Sequence, residues 1–370
     1  MDFKLSENTT LIADTARRYL RENYSFDAYR AQLQEADHVN VRRWQAMNEL
    51  GWFGLPFAES NGGYGCSLVD VVAVAREMGS ALCLDPFVDL VVSPGKLLEY
   101  INNPSALALL EGIIAGKARV ATGLYDKDAG YQVMAPSLRL NGTRLSGQKH
   151  IVSDGGCSDI VLVSAMAGNE LVIIALPLAQ VEVERYRLLD GSRAASLTFD
   201  DVEINDDMIL CRGQSATQAI SRWFDYMCAL DCARMYGAAN QVFQHTLEYA
   251  RTRKQFGVAI GSFQVIQHYL VDMFIDLQQL ESMLMMVSVK AEQDDVGERA
   301  IATSAAKAYF SRQAVQIAQQ GIQIHGGVGV TEELNIGHYF RLITHCSLSH
   351  GDREHHVRRF IDVGECHDGR

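Results

Sequence analysis

The chain has 370 residues, 48% hydrophobic and 21% charged, with a formal net charge of −12. This is an ordinary globular composition, and the length is sufficient for two or three packed units. The acidic balance argues against a nucleic-acid binder, which would normally present a basic face, but it leaves room for a local basic pocket.

The spacing of the cysteines and the lengths of the apolar segments argue against a metal-binding protein and a membrane protein. The eight cysteines include no CxxC pair. Cys228 and Cys232 share a helix face, but no third ligand lies nearby, so we expect buried thiols and no metal site. No apolar run is long enough for a membrane, and MDFKLSENTT lacks a signal-peptide core. We therefore expect a cytoplasmic protein.

The first segment, residues 1–118, is predicted to be an α-helical domain. Ser6 is a candidate N-cap for LIADTARRYLREN, and VRRWQAMNELGWFGL and SLVDVVAVAREMGSAL show helical apolar spacing. The glycine-rich FAESNGGYGCS could cradle a phosphate, but it lacks a lysine and a preceding strand. We prefer a turn between helices, and we expect no sheet in this segment.

The pattern changes to a β-domain over residues 119–212. The stretches are short and rich in Val, Ile, Leu and Thr, and Asn141-Gly142 is a hairpin signal. We expect a small barrel or a sandwich of two packed sheets.

The last segment, residues 213–370, returns to helical spacing. Helices are predicted at about 222–252, 264–292, 298–320 and 332–346. Their lengths and short connections predict an antiparallel four-helix bundle.

A cluster of cations, glycines, aromatics and amides lies in YARTRKQFGVAIGSFQ, residues 249–264. Arg253 can bind a phosphate through two parallel charge-assisted hydrogen bonds, and Gln264 can pair with a heterocycle or a ribose. Cations at a helix end also complement the helix dipole without any ligand. From the spacing alone, phosphate binding and stabilisation of the helix end both stay open.

These residues and the downstream segment QIHGGVGVTEE, which begins at Gln323, resemble the acyl-CoA dehydrogenase family. The resemblance extends over nearly the whole chain. It implies the fold of that family, with an N-terminal helical domain, a middle β-domain and a C-terminal helical bundle. It also implies FAD as cofactor and oxidation of the Cα–Cβ bond of an acyl-CoA thioester.

The resemblance implies FAD contacts from three places in the chain: Arg253, Phe256 and Gln264; Gln323, Ile324, Gly326 and Gly327; and Ile151 and Ser153 in the β-domain. The match is incomplete, because Ile151 replaces an aromatic residue of the family pattern. In the family loop that falls on residues 125–131, only Ala129-Gly130 agrees. The pattern therefore leaves open whether that loop contacts the flavin or the thioester.

The catalytic base is where the chain departs most from the family. Many members carry glutamate at the position held here by His350, and another branch carries it at the position of Met227. Removal of an α-proton needs a base of suitable pKa. Asp231, one helical turn after Met227, is the leading candidate, and Asp352 and His350 are the others.

The ending GDREHHVRRF, with LPFAESNGGYG and IGHYFRLITH, resembles the small subunit of bacterial pimeloyl-CoA-type and steroid-degrading members. This implies a bulky, steroid-derived or dicarboxylic acyl-CoA, an electron-transfer flavoprotein as acceptor, and a tetramer of identical or homologous chains. Two other functions stay open: a non-catalytic FAD-binding subunit, and a relative with oxidase or nitroalkane chemistry.

Overall fold

The structure is a computed structural model that describes residues 6–34 and 39–367, with side chains to residue 365. Its helices are α1 (Glu7–Asn23), α2 (Phe26–Leu33), α3 (Val41–Glu49), α4 (Leu68–Ser80), α5 (Ser93–Ile101), α6 (Pro104–Ile114), α7 (Gly213–Thr252), α8 (Gln264–Lys290), α9 (Val296–His325), α10 (Asn335–Leu348) and α11 (Arg353–His367). Its strands are β1 (Val120–Gly123), β2 (Arg139–Asn141), β3 (Arg144–Ser153), β4 (Ile160–Ala167), β5 (Glu170–Pro177), β6 (Glu182–Arg187), β7 (Arg193–Glu203), β8 (Ile209–Arg212), β9 (Lys254–Gln255) and β10 (Val258–Ala259).

The N-terminal segment is helical, as predicted. Ser6 caps α1, because its side chain accepts a hydrogen bond from the Thr9 amide at 3.0 Å. The glycine-rich stretch is a turn containing a short 3₁₀ helix, Glu59–Asn61, rather than a phosphate loop between a strand and a helix. Before Val120, the described residues form no strand.

The middle segment forms a β-domain, as predicted, and its strands pair in one mixed sheet. Its strands follow the order β6-β7-β3-β2-β4-β5-β8, with β1 paired to β4. Strands β1 and β2 both run parallel to β4, while the other pairs are antiparallel. The Asn141-Gly142 hairpin joins β2 to β3, as the sequence indicates.

The C-terminal segment contains the four predicted helices and a fifth, α11. Helix α9 packs against α8, α10 and α11. Two predicted starts were wrong: α7 begins at Gly213, and α10 begins at Asn335 rather than near residue 332. Glu332 lies in the preceding turn, where its carboxylate pairs with Arg341. In the part of the chain that the structure describes, no helix is long and apolar enough to cross a bilayer.

Tertiary contacts divide the chain into two compact units. One comprises the described parts of Met1–Gln32, Leu68–Cys83 and Asp225–Arg370, and the other those of Leu33–Ser67 and Leu84–Phe224. In the first unit, two glycines let α4 and α7 approach closely. A Cβ on Gly237 would lie 2.0 Å from the Arg76 carbonyl oxygen, and one on Gly79 would lie 2.2 Å from that of Arg234. This close approach fixes the part of α7 that carries Asp231.

Candidate active site

Two of the three candidate bases form a hydrogen-bonded pair. His350 lies in the turn between α10 and α11, and its Nδ1 is 2.8 Å from Oδ2 of Asp231 on α7. The Asp231 side chain is 5% exposed and that of His350 is 15% exposed. The pair therefore consists of a buried carboxylate and an imidazole that retains access to solvent.

Lys307 of α9 holds the turn that carries His350. Its side chain is fully buried, and its ammonium group donates to the carbonyl oxygens of Ser349 at 2.7 Å and Gly351 at 3.0 Å. Its Nζ is also 3.8 Å from Asp231 Oδ2, so the buried carboxylate has a positive partner. Sequence reasoning missed Lys307, although a lysine among alanines on a buried helix face is a usable signal.

The backbone of His350 is strained, with φ at +50°, which is uncommon for a residue other than glycine. Its carbonyl oxygen lies 2.8 Å from Nε2 of His356, and a carbonyl can only accept, so His356 carries its proton on Nε2. Burial lowers the pKa of His356 to about 2, so this imidazole stays neutral. Lys307 and His356 together hold the turn in its strained conformation.

Asp352, the third candidate base, has a structural task. Its Oδ1 accepts a hydrogen bond from the His355 amide at 2.8 Å, so it caps the start of α11. The residue before it must be glycine, because Gly351 has φ at +104° and a Cβ there would lie 2.6 Å from the His355 ring.

A second buried ion cluster supports this part of the molecule. Asp225 lies two turns before Asp231 on α7 and is fully buried. It accepts from Nε of Arg299 on α9 at 2.9 Å and pairs with Nη2 of Arg359 on α11 at 2.6 Å. The hydroxyl of Thr303 donates to it at 2.9 Å. The cluster joins the three helices that also surround the His350 turn.

The motif at residues 249–264 folds into a small hairpin between α7 and α8. Strands β9 and β10 are joined by Phe256 and Gly257, both with positive φ, and the Phe256 side chain is 91% exposed. The Ile260 amide donates to the Arg253 carbonyl oxygen at 2.8 Å. This closes the hairpin and brings the end of α7, with Arg253, near the start of α8, with Gln264.

The structure brings the second motif to the same end of α7. The ring of Tyr249 stacks on that of His325 with 4.3 Å between centroids. His325 ends α9 and follows Gln323 and Ile324 directly, the first exposed and the second half-buried. Gly326 has φ of 65° and ψ of −147°, a conformation open essentially to glycine alone. A Cβ at Gly326 or Gly327 would meet no atom within 4 Å.

These residues fit the dinucleotide that the resemblance implies. Among the residues that the structure describes, the side chains of Arg253, Gln264 and Gln323 are exposed and make no hydrogen bond or ion pair. The first turn of α8 has no side-chain cap, so it presents amide groups as well as a positive dipole end. An uncommitted guanidinium, two free amides and open glycines are suitable for a pyrophosphate and a heterocycle.

In the sheet, Ile151 and Ser153 lie at the irregular end of β3. The register of β3 against β7 shifts between Lys149 and Val152. Ile151 has φ at +52°, which is strained for a β-branched residue, and it is 54% exposed. Its amide donates to the Tyr186 hydroxyl at 3.0 Å. Ser153 pairs with Ala194 of β7 and is half-buried.

Lys149 of the same strand is committed to the structure. It is fully buried, its ammonium group is 2.7 Å from Asp126 Oδ1, and it also donates to the Leu124 carbonyl and the Ser164 hydroxyl. Burial lowers the pKa of Lys149 to about 8 despite the opposing effect of Asp126. This ion pair anchors the loop that departs from the family pattern.

Comparison with known proteins identifies two matching family profiles. Residues 6–93 match the profile described as acyl-CoA dehydrogenase, N-terminal domain, and residues 216–362 match acyl-CoA dehydrogenase, C-terminal domain. Together the two profiles cover more than half of the chain.

Solved structures share the fold over the whole length. The ChsE4–ChsE5 complex from Mycobacterium tuberculosis is 21% identical, with a TM-score of 0.88, and the match covers 100% of this chain and 99% of that one. A variant of the Tcur3481–Tcur3483 steroid ACAD is 23% identical, with a TM-score of 0.88 and coverage of 98% and 99%. A glutaryl-CoA dehydrogenase from Mycobacterium smegmatis in complex with FADH2 is 19% identical, with a TM-score of 0.84 and coverage of 99% and 96%.

Proposed function

The chain belongs to the acyl-CoA dehydrogenase family of oxidoreductases, and we propose that it is a catalytic member that desaturates the Cα–Cβ bond of an acyl-CoA thioester. One observation carries this proposal. At the position where many relatives have glutamate, His350 is hydrogen-bonded to the buried carboxylate of Asp231 at 2.8 Å. This position therefore retains a proton acceptor, but the acceptor is an imidazole instead of a carboxylate.

The alternative is a non-catalytic subunit that supports a homologous partner. The absence of glutamate at both family positions favours it, since Met227 is buried and apolar. However, a chain released from catalysis has no need for a buried lysine and an oriented carboxylate, on two separate helices, that both face a strained histidine. The burial of these charges is costly unless they are paired, so the arrangement favours a catalytic role.

FAD, when bound, supplies the two-electron acceptor for the β-hydride. Two separate groups of residues in this chain would contact FAD. The first is Arg253, Phe256, Gln264 and the segment Gln323, Ile324, Gly326 and Gly327, and the second is Ile151 and Ser153 in the sheet. Arg253 would bind the pyrophosphate, because its guanidinium has no other task among the described residues.

Replacing Arg253 tests this assignment. An arginine–phosphate contact contributes about 1.5–3 kcal/mol, so Arg253→Ala should weaken FAD retention at least about tenfold. Arg251→Ala is the matched control, since Arg251 lies two residues earlier in the last turn of α7. FAD content is measured from absorbance after gel filtration. Equal content in wild type and Arg253→Ala would exclude this role.

For the substrate, we propose a bulky, carboxylated or steroid-derived acyl-CoA in lipid or steroid catabolism. The C-terminal GDREHHVRRF and the similarity to a protein described as a steroid ACAD support this class. We propose an electron-transfer flavoprotein as the acceptor, following the family resemblance, and the cytoplasm as the location.

For the assembly, we propose a tetramer, either of four identical chains or of two copies each of this chain and a homologue. The first half of α8 exposes apolar side chains in several directions: Val265, Tyr269, Val271, Phe274 and Ile275 are each 40–55% exposed. A helix that is apolar on more than one face requires more than one neighbour. An obligate interface of this kind buries more than about 2,000 Å².

The assembly is tested by light scattering on the FAD-bound protein. Loss of FAD and dissociation should occur together, because Arg253 and Gln323 lie beside this apolar surface and would contact the cofactor of a neighbouring chain. A monomer that retains one FAD per chain would contradict the proposal. A tetramer that forms only on addition of a homologous chain would select the heteromeric arrangement.

The catalytic proposal is tested by anaerobic bleaching of the flavin. The purified chain is mixed with straight-chain, dicarboxylic and steroid side-chain acyl-CoA thioesters, alone and with a homologous chain. When this chain is present alone and supplies the only base, we expect at least one bulky thioester to bleach the flavin. Bleaching that depends on the base of the partner, and persists when His350 and Asp231 are both replaced, would favour the non-catalytic subunit.

A further inference from the structure

We propose that His350 is the general base, acting through Nε2, and that Asp231 is a positioning residue rather than the base itself. This inference rests on the proposed function and assigns the roles within that site. It revises the sequence-based expectation, in which Asp231 was the leading candidate.

The hydrogen bond to Asp231 fixes the position of the proton on the His350 ring. The Asp231 carboxylate can only accept a hydrogen bond, so the histidine nitrogen facing it at 2.8 Å carries a proton. With the proton on Nδ1, Nε2 of the neutral ring holds the lone pair. The pairing therefore fixes the tautomer and makes Nε2 the basic atom, as a carboxylate does for a catalytic histidine in other enzymes.

The two side chains of the pair differ in their access to solvent. Asp231 is 4% exposed, and its Oδ2 faces both the His350 ring and the Lys307 ammonium group. Because this oxygen already faces two donors and the side chain is buried, Asp231 is not positioned to reach a substrate. The imidazole, with 15% of its side chain exposed, is the member of the pair that can reach a proton from outside.

The backbone of His350 is held in a strained conformation. A positive φ at a histidine persists only when its surroundings hold it, and here Lys307 holds the carbonyl groups on both sides while His356 holds the carbonyl of His350 itself. The groups around His350 include Asp231 and Cys228 on α7, Lys307 on α9, and Asp352, His355 and His356 at the start of α11. The strain orients one side chain, which is expected of a base rather than of a packing residue.

In the proposed step, the Cα–H bond breaks and its proton goes to His350 Nε2. The neutral imidazole becomes an imidazolium beside the Asp231 carboxylate. The electron pair of that bond becomes the Cα–Cβ double bond. FAD, when bound, would accept the β-hydrogen together with its two electrons. The imidazolium then returns its proton to solvent through the exposed edge of the ring.

The test separates proton removal from hydride transfer. A 3-thiaacyl-CoA has an acidic α-proton, but its β-sulfur prevents hydride transfer, so deuterium uptake at Cα in D2O reports the base alone. The FAD-bound wild type, His350→Gln and Asp231→Asn are compared by mass spectrometry over pH 5–9, with straight-chain and bulky analogues. We expect the rate of deuterium exchange in His350→Gln to be about 10²–10⁴-fold lower than in wild type.

Asp231→Asn should retain measurable exchange, and the decline of its rate toward acid should move to lower pH. The physical reason is that removal of the carboxylate destabilises the imidazolium. If Asp231 were the base, Asp231→Asn would abolish exchange and His350→Gln would preserve it, and this result would overturn the inference. Loss of exchange in Asp352→Asn, which can still cap α11, would also overturn it.

Two controls keep the inference distinct from the proposed function. FAD content and circular dichroism of each variant show that the fold is intact, and Asp14→Asn, on the exposed face of α1, is the matched carboxylate control. If wild type neither bleaches nor exchanges, the proposed function fails. If wild type bleaches and His350→Gln exchanges at the wild-type rate, only the assignment of the base fails.

Discussion

Asp225→Asn is expected to lower the free energy of unfolding by about 3–5 kcal/mol, because removal of one partner leaves buried opposite charges without compensation. Arg299 is 1% exposed, and its guanidinium lies 2.9 Å from the Asp225 carboxylate. Arg359 approaches the other oxygen at 2.6 Å. The asparagine has nearly the volume of aspartate, so the loss reports charge rather than packing.

The measurement is urea denaturation of the FAD-bound protein, followed by circular dichroism, with Asp14→Asn as control. Asp14 pairs with Arg17 at 2.8 Å, but both side chains are more than half exposed, so this pair should contribute at most about 1 kcal/mol. A similar loss in the free energy of unfolding for Asp225→Asn and Asp14→Asn would show that the buried Asp225 cluster stabilises the fold no more than an exposed ion pair does. The cluster would then not be what holds α7, α9 and α11 together.

Lys307→Met is the second variant with a large expected effect. It removes the positive partner of Asp231 and the donor to the carbonyls of Ser349 and Gly351, while methionine fills most of the space. We expect a loss of about 3–5 kcal/mol in the free energy of unfolding. We also expect slower flavin reduction, since the His350 turn loses its clamp.

The second effect distinguishes a clamp from a simple core residue. In Lys307→Met, the rate of reduction should fall at saturating acyl-CoA, whereas the retention of FAD should not change. The control is Lys290→Met, on the exposed part of α8, where the ammonium pairs with Glu298 at 2.8 Å. A variant that is less stable but reduces flavin at the wild-type rate would limit Lys307 to a structural role.

The sequence predicted the order and type of the structural elements well, because these depend on local periodicity. The helical start, the β segment from Val120 and the long C-terminal helices follow from apolar spacing and from caps such as Ser6. The single sheet could not be predicted, since the parallel pairing of β1 and β2 with β4 depends on contacts between distant residues. Helix α11 was missed because GDREHHVRRF is rich in charge and shows little apolar periodicity.

The candidate site was predicted as a set of residues but not as an arrangement. Asp231 and His350 were separate candidates, and they are 119 positions apart in the sequence. Nothing in their spacing shows that they share a hydrogen bond. Lys307 carried no motif, and Asp352 could not be recognised as a cap without the geometry of α11. Pairing and burial are tertiary properties, and they changed the leading candidate for the base from Asp231 to His350.

The central claim is that this chain removes the α-proton with its own residues. The most direct measurement is the anaerobic rate of flavin reduction by the purified chain, with an accepted acyl-CoA and with the same thioester deuterated at Cα. We expect reduction without any partner chain, slowed by α-deuteration and lost in His350→Gln. Reduction that requires a homologous chain, or that proceeds unchanged in His350→Gln, would contradict the claim.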